Sequence, residues 1–294
     1  MTWAIVTDSS CNMRSFTPTA PECIYRCAPL AIHVDGEEFI DDEALDVPEL
    51  NARVRASKSA TSSSCPSAGE WAELFYQADQ VIAISISSQL SGSYEAACMA
   101  KTIVMDEHRR AHHGSAAGKD IFILDSKSAG GQIETMVIQL DRYLKNNNPT
   151  FSEAVRYVEH LQKTSQVLYS LSSYDNLVKN GRMPKMVGSI AGKLNIRMLG
   201  TASAQGTIKI VGPTRGEKKT FRKIVDTMAG DGYAGGLVCI DHVEHELAAQ
   251  ELAACIKETW PSAEVILMPC RGLCSYYAEQ SGLIIGYSWN NTSE

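Results

Sequence analysis

Short apolar runs alternate along the first half of the chain with longer segments in which apolar residues recur every three or four positions. The runs are rich in β-branched residues and predict buried strands within 3–10, 80–87 and 120–128. The longer segments predict helices at 67–78, 92–108 and 131–147. Strands that alternate with helices are typical of βαβ units, so we expect a mainly parallel sheet flanked by helices.

The pattern changes after Phe151. The segment 198–216 predicts two antiparallel strands joined at Gln205-Gly206. Further helices are predicted at 151–165, 174–183, 217–230 and 244–260, with strands at 166–173, 235–241, 263–269 and 282–289. We therefore expect a two-domain α/β fold. Residues 1–160 would form an N-terminal α/β domain, and residues 161–294 a second α/β domain with some antiparallel strands.

Composition and charge narrow the classes of function. The chain has 294 residues, 44% hydrophobic and 21% charged, which is enough to build a sizeable core. Its net charge of -7 argues against nucleic acid as a partner, because phosphate binding usually requires a basic excess. The sequence shows no signal-peptide pattern and no apolar run near 18 residues. We expect a cytoplasmic protein without integral membrane association.

The nine cysteines predict reduced thiols and no metal site. Cys23/Cys27 and Cys270/Cys274 have CxxxC spacing, but neither pair has a nearby histidine, and two CxxC pairs would be the stronger zinc signal. We therefore expect neither a metal nor another cofactor.

Hydroxyl-bearing residues cluster where three predicted strands end: TDSS at 7–10, SISSQLSGS at 85–93 and LDSKS at 124–128. In open α/β sheets, ligands bind beyond the carboxyl ends of the strands. These strand ends therefore predict one shared polar site.

The corner around Gly92 has the features of an anion site. Ser91 can cap the helix that follows, Ser93 lies in its first turn, and Gly92 lets a ligand approach the backbone. A second hydroxyl cluster, residues 61–67, precedes another helix. A carboxylate held by such groups gains charge-assisted hydrogen bonds of about 1.5–3 kcal/mol each. The alternatives are a capped helix with nothing bound and a flexible serine-rich loop.

An enzymatic alternative would use the strand-end serines with Asp8 and Asp125 in a small-molecule hydrolase or transferase. The sequence has no G-x-S-x-G elbow, and no histidine lies in a motif that marks a base. His242 and His245 follow Asp241, which we predict to cap a helix start. Arg182 and Arg215 could bind phosphate or carboxylate, although each by itself is more typical of a solvated loop charge.

Taken in order, the motifs IVTDSS, SSSCPSAGEW, ISSQLSGSYEAA, LDSKS, LVKNGR and TRGEKK resemble the DegV family of bacterial fatty acid-binding proteins, from residue 4 to about 287. The resemblance implies a two-domain α/β fold that holds one long-chain fatty acid between its domains. It implies that the acid's carboxyl group lies in the hydroxyl cluster and its acyl chain in an apolar tunnel. It also implies a partner fatty acid kinase that converts the bound carboxylate to an acyl phosphate, the carrier itself being no enzyme.

The resemblance assigns roles to individual residues. The family's T-S-Q-P-S falls on Ser63 to Ser67, with Cys65 in place of Gln, and its S-G-T falls on Ser91, Gly92 and Ser93. The implied carboxylate-binding residues are Ser63, Ser64, Ser91, Gly92, Ser93 and Tyr277. Tyr277 stands where the family has a histidine and cannot supply a histidine's positive charge. Arg182 and Arg215 are the implied residues that face phosphate or the kinase.

Burial of the acyl chain would dominate affinity. A 16-carbon acid has about 14 methylenes, each worth about 0.8 kcal/mol when buried, or roughly 11 kcal/mol before association costs. The serines would chiefly keep the desolvated carboxylate paired. The sequence thus predicts a non-catalytic lipid carrier. The alternatives are the enzyme above and a regulatory module that has lost ligand binding.

Overall fold

The structure is a computed structural model that describes residues 1–183 and 196–289. Its strands in chain order are β1 (Trp3–Asp8), β2 (Cys23–Ala28), β3 (Ala31–Val34), β4 (Glu37–Ile40), β5 (Ser62–Ser64), β6 (Gln80–Ser85), β7 (Asp120–Asp125), β8 (Ser165–Leu171), β9 (Ile196–Ala202), β10 (Ile208–Arg215), β11 (Leu237–His242), β12 (Glu264–Pro269) and β13 (Leu283–Ser288). Its helices in chain order are α1 (Val47–Ala56), α2 (Ala68–Phe75), α3 (Ser93–Ala111), α4 (Gly131–Asn147), α5 (Phe151–Lys163), α6 (Asp175–Lys179), α7 (Glu217–Gly230), α8 (Glu246–Thr259) and α9 (Gly272–Ala278). The mixed α/β class predicted from the sequence is confirmed.

The first sheet has the order β2-β1-β6-β7, and every pairing in it is parallel. Successive residues of β1 point to opposite faces, as a strand requires. Ala4 and Val6 pack with residues of α2 and α3 on one face, whereas Ile5 packs with residues of α4 and α5 on the other. The strands are therefore buried on both sides, which explains their nearly continuous apolar runs.

The second sheet has the order β10-β9-β8-β13-β11-β12 and is mixed. β9 and β10 form the predicted antiparallel hairpin, and Gly206 in its turn has a φ of 89°. β13 pairs antiparallel with both β8 and β11, while β11 and β12 are parallel. Residues of α7 and α8 pack on this sheet around Ile224 and Leu252.

A small antiparallel sheet has the order β4-β3-β5. Asp35 and Gly36 form the turn between β3 and β4, with φ of 52° and 84°. Three serines of the second hydroxyl cluster form β5, with Ser63 opposite Ile32 of β3. This pairing holds the second hydroxyl cluster on a strand.

Helix α4 lies between the two larger sheets and joins them. Ile133 of α4 belongs to the same apolar cluster as Ile82 of the first sheet and Cys239 of the second. Gly286 of β13 approaches so closely that a Cβ on it would overlap the backbone of Gly131. The predicted domain boundary at residue 160 falls within α5 and stays a prediction.

Two buried acids face each other where α4 meets β11. Glu134 and Asp241 are both fully buried; burial raises the pKa of each carboxyl group, and the charge of Glu134 raises that of Asp241 further. Asn12 donates to Glu134 Oε1 from its backbone N (2.9 Å) and from Nδ2 (3.1 Å). Burial and the repulsion between two like charges both favour the protonated, neutral form of these acids. The prediction that Asp241 caps a helix is wrong, because α8 begins five residues later with His245 at its N-cap.

The nine cysteines are free thiols, as expected. Within residues 1–183 and 196–289, no group of three or more histidines, cysteines or acids could hold a metal ion. Over the same residues, no helix combines the length and apolar character needed to cross a bilayer.

Candidate functional site

The hydroxyl-bearing segments meet around one cavity of about 240 Å³, which we call the head cavity. It is lined by Leu30, Ser63, Ser64, Cys65, Ile86, Leu90, Ser91, Gly92, Arg182, Leu273 and Tyr277. Six of the eight residues predicted for the site therefore lie together, and they come from distant parts of the chain. Ser93 and Arg215 are the two that do not line the cavity.

Tyr277 closes one side of the head cavity. Its hydroxyl lies 2.8 Å from Ser63 Oγ, within hydrogen-bond distance. Burial raises the pKa of Tyr277, so its phenol keeps a proton and can donate. Ser64 Oγ lies 3.0 Å from His33 Nε2 on the neighbouring strand. Hydroxyl groups from β5 and α9 thus meet at this wall.

The start of α3 forms the opposite side. The helix begins at Ser93 with Gly92 at the N-cap, so the prediction that Ser91 is the N-cap residue is wrong by one position. Ser91 Oγ still accepts a hydrogen bond from the backbone N of Ser93 at 3.3 Å. Gly92 is exposed, and a Cβ on it would lie 3.4 Å from Cys65 Sγ. The Ser91 hydroxyl and the backbone of Gly92 both border the cavity.

The Ser93 side chain has a different partner. Ser93 is fully buried and donates to Asp8 Oδ2 at 2.6 Å. Asp8 also accepts from Ser10 Oγ (2.5 Å) and from the backbone N of Ile86 (2.9 Å). Burial raises the pKa of Asp8, while these hydrogen bonds oppose the shift. Asp8 and Ser93 hold the strand ends together beneath the cavity.

Asp125, the other strand-end acid, also organises a loop. It accepts from the backbone N (3.0 Å) and Oγ (2.6 Å) of Ser88, and from the backbone N of Lys127 (3.1 Å). Both aspartates named in the enzymatic alternative therefore have local structural partners.

Arg182 is held beside the head cavity by backbone carbonyl groups. Nε donates to the carbonyl of Leu90 at 3.1 Å and Nη1 to that of Asn180 at 2.6 Å, while Cζ lies 5.9 Å from the centroid of the Tyr277 ring. The guanidinium group is thus fixed against an aromatic face. Arg215 is the last residue of β10. It lies about 23 Å along that strand from Ile208, the first residue of β10.

A second, apolar cavity adjoins the first, and we call it the tail cavity. Its lining includes Ala129, Tyr169, Leu171, Tyr174, Leu177, Ile208, Cys274, Ala278 and Ile284. It shares Ile86, Leu90, Arg182, Leu273 and Tyr277 with the head cavity. Its walls combine the strand ends of the first sheet with residues of the second sheet and α9.

Sequence reasoning missed several residues near the site. Leu30 and Leu273 line the head cavity, and neither lies in a polar motif. The Tyr276 hydroxyl lies 2.7 Å from Thr61 Oγ1. It also accepts a hydrogen bond from Asn180 Nδ2 at 2.8 Å. The adjacent tyrosines in the segment GLCSYYA were a signal, since two buried phenols need polar partners.

Comparisons with known proteins agree on one family. A family model described as "Uncharacterised protein, DegV family" matches residues 2–287. A DegV domain-containing protein of Streptococcus pyogenes is 37% identical over 287 residues, covering 98% of this chain and 99% of that protein.

Solved structures extend the likeness. The Fatty Acid Kinase (Fak) B3 protein of Streptococcus pneumoniae, loaded with linoleic acid, is 36% identical, with a TM-score of 0.93 over 99% of this chain and 100% of that one. A DegV family protein from Eubacterium eligens, loaded with heptadecanoic acid, is 31% identical, with a TM-score of 0.91 over 98% and 100% of the two chains. With the family model matching nearly its whole length, this chain belongs to the DegV family.

Proposed function

We propose that the protein binds one long-chain fatty acid, with its carboxylate in the head cavity and its acyl chain in the tail cavity. The observation that carries the proposal is the junction of the two cavities, which share five lining residues. A polar pocket that adjoins an apolar one matches the chemistry of a fatty acid. The S. pneumoniae and E. eligens relatives loaded with linoleic and heptadecanoic acid support the same ligand class.

The head cavity offers complementary groups to a carboxylate. Ser63, Ser64 and Ser91 supply hydroxyl donors, and Tyr277 supplies a phenol that stays protonated. Arg182 supplies the positive charge at the cavity wall, and a guanidinium group donates strong, charge-assisted hydrogen bonds to a carboxylate. Gly92 exposes backbone beside the N-terminus of α3. Ser93 would act indirectly, through Asp8.

The tail cavity supplies an apolar environment for the acyl chain. Apart from Ser10 and Arg182, its lining consists of aliphatic, aromatic and cysteine side chains. Burial of a 16-carbon chain is worth roughly 11 kcal/mol before the costs of ordering and association.

We further propose that the protein is a carrier and not a catalyst. A partner kinase would transfer the terminal phosphoryl group of ATP to a carboxylate oxygen of the bound acid, giving an acyl phosphate and ADP. The Fak B3 relative supports this partner by its name. Arg182 lies beside the head group, whereas the exposed Arg215 would contact the kinase or its phosphates. The cytoplasm is the expected location, because this reaction consumes ATP.

The direct test is native mass spectrometry of the purified protein, with organic extraction of the bound lipid. We expect close to one fatty acid per chain. Ala129→Phe, which places an aromatic ring in the tail cavity, should abolish binding. Ala229→Phe, at an exposed position near the end of α7, is the matched control and should bind normally. A protein that stays empty after incubation with fatty acids would refute the proposal and favour the regulatory module.

A further inference from the structure

Helix α9 carries two residues that line both cavities, Leu273 and Tyr277. At seven residues, α9 is too short to be stable by itself and depends on tertiary contacts. Its placement therefore determines where the Tyr277 hydroxyl meets Ser63.

Asp41 holds the first turn of this helix from outside. Its side chain is fully buried, and it accepts from the backbone N of Gly272 (Oδ1, 2.9 Å) and of Leu273 (Oδ2, 2.8 Å). Both carboxylate oxygens thus accept hydrogen bonds from N–H groups in the first turn, which have no acceptor within α9. Asp41 follows β4, more than 200 residues earlier in the chain, so the contact is wholly tertiary.

Arg271 neutralises the buried charge and adds further anchors. Its guanidinium is 2% exposed, with Nε 3.5 Å from Asp41 Oδ1 and Nη2 donating to the Asp41 carbonyl. The backbone N of Arg271 donates to Asn12 Oδ1 at 2.7 Å. A buried ion pair that loses one partner leaves an uncompensated charge, so the two residues act as a unit.

The space around Asp41 is tight, and its backbone contacts Leu30, another residue that lines the head cavity. A Cβ on Gly272 would lie 2.5 Å from Leu45 Cδ2 and 3.0 Å from Asp41 Oδ1, so a larger residue would require the Leu45 side chain to move. The backbone N of Asp41 also donates to the carbonyl of Leu30 at 2.8 Å. Asp41 therefore links the Leu30 wall to the α9 wall.

We propose that Asp41, paired with Arg271, is a positioning residue for carboxylate recognition: it fixes α9 so that the Tyr277 hydroxyl sits at the head cavity. The inference rests on the proposed function and deepens it. Asp41 does not line either cavity, so its effect on binding must pass through α9.

The test compares an acid with an alcohol of equal chain length. In Asp41→Asn, one oxygen that accepts an N–H becomes an amide donor facing that N–H, which displaces the first turn of α9. Affinity for hexadecanoic acid should fall about tenfold or more, the equivalent of one lost charge-assisted hydrogen bond. Affinity for 1-hexadecanol, which carries no carboxylate, should change by less than about threefold, under 1 kcal/mol. Asp42→Asn, at the exposed neighbouring position, is the control and should leave both affinities unchanged.

Further variants separate positioning from general damage. Tyr277→Phe should show the same acid-specific loss, and adding Asp41→Asn to it should cause little further loss, as expected of residues acting through one contact. Should Asp41→Asn fail to fold, Asp41→Glu keeps the charge beside Arg271 and moves the carboxylate by one methylene. Equal losses for acid and alcohol, or additive effects with Tyr277→Phe, would overturn the inference.

Hydrogen exchange of the protein without added lipid distinguishes this inference from the proposed function. The amides of Gly272 and Leu273 should exchange faster in Asp41→Asn than in the parent protein. Unchanged exchange would refute the positioning role whether or not fatty acid binds. A parent protein that binds no fatty acid would refute the proposed function, and faster exchange alone would then show that Asp41 anchors α9 without serving recognition.

Discussion

The buried pair Glu134 and Asp241 should make stability fall as pH rises, and Asp241→Asn should remove much of that dependence. Burial raises the pKa of both carboxyl groups, the shift at Asp241 being increased by the charge of Glu134. The folded state therefore binds a proton that the unfolded chain releases near pH 4. The amide introduced by Asp241→Asn has no proton to lose over this pH range.

The magnitude follows from proton linkage. The stabilisation is complete below the unfolded pKa of about 4 and is lost as pH rises through the raised folded pKa. While pH lies between those two values, the free energy of unfolding falls by about 1.4 kcal/mol per pH unit. Asp241→Asn should lack this slope, so the difference in unfolding free energy between the two proteins should change by about 1.4 kcal/mol per pH unit over that interval. The thiols around the pair, whose pKa values are raised by burial, stay neutral over this range: Cys11, Cys239, Cys270 and Cys274.

Urea denaturation at pH 5, 6, 7 and 8 measures this difference. Subtracting one unfolding free energy from the other cancels the titration of groups that both proteins share. Asp106→Asn is the control, because Asp106 is half exposed in a surface pair with Arg109, and such pairs contribute little. Parallel pH profiles for the parent and Asp241→Asn would refute the raised pKa of Asp241.

Three further outcomes test the site and the hairpin. Ser91→Ala should weaken fatty acid binding by about tenfold, without abolishing it, in a fluorescence displacement assay; complete loss would mean that the head group and not the tail dominates affinity. Tyr277→His should make binding tighten as pH falls below about 6.5, where an imidazolium faces the carboxylate, and a pH-independent dissociation constant would contradict this. Gly206→Ala should lower the free energy of unfolding by about 1–3 kcal/mol, because φ is 89° and a Cβ would overlap Ser87 Oγ and lie 3.1 Å from Lys127 Cα. An unchanged urea midpoint for that variant would show that the hairpin turn adapts freely.

Local patterns predicted the longer elements well. Helices α4 and α7 have the predicted bounds, 131–147 and 217–230. Their apolar positions recur with helical spacing, and residues that stop or start helices flank them: Asn148 before Pro149 in one case and Gly216 in the other. The hairpin of β9 and β10 was predicted from a turn signal of the same local kind.

Elements defined by distant partners were missed. β5 consists of three serines, and only its pairing with β3 makes it a strand. Helix α9 depends on Asp41, from a remote part of the chain, and its seven residues show too few repeats to reveal a period. Asp241 has the residue type of a helix cap, yet the strand continues through it, and the charge of Glu134 helps to raise its pKa.

The candidate site shows the same division. The strand-end argument and the family resemblance together predicted that Ser63 and Ser91 would meet, and the structure places both at the head cavity. No local signal showed that Ser91 lines the cavity whereas Ser93 does not. The Ser93 hydroxyl donates a hydrogen bond to Asp8 instead. The sequence could not predict that Leu30 and Leu273 line the head cavity, because apolar residues line cores and cavities alike. The binding roles themselves stay predictions.

The central place of β13 in the second sheet has a consequence for biosynthesis. Residues 283–288 supply the hydrogen-bonding edge for both β8 and β11, so neither neighbour is complete before this stretch is made. A ribosome adding about 5–20 residues per second exposes β8 for several seconds before its partner appears. The first sheet is complete once residue 125 has been made. The strands of the second sheet then still have unpaired edges. Nascent chains stalled shortly before residue 283 should therefore need chaperone protection that chains stalled at residue 150 do not.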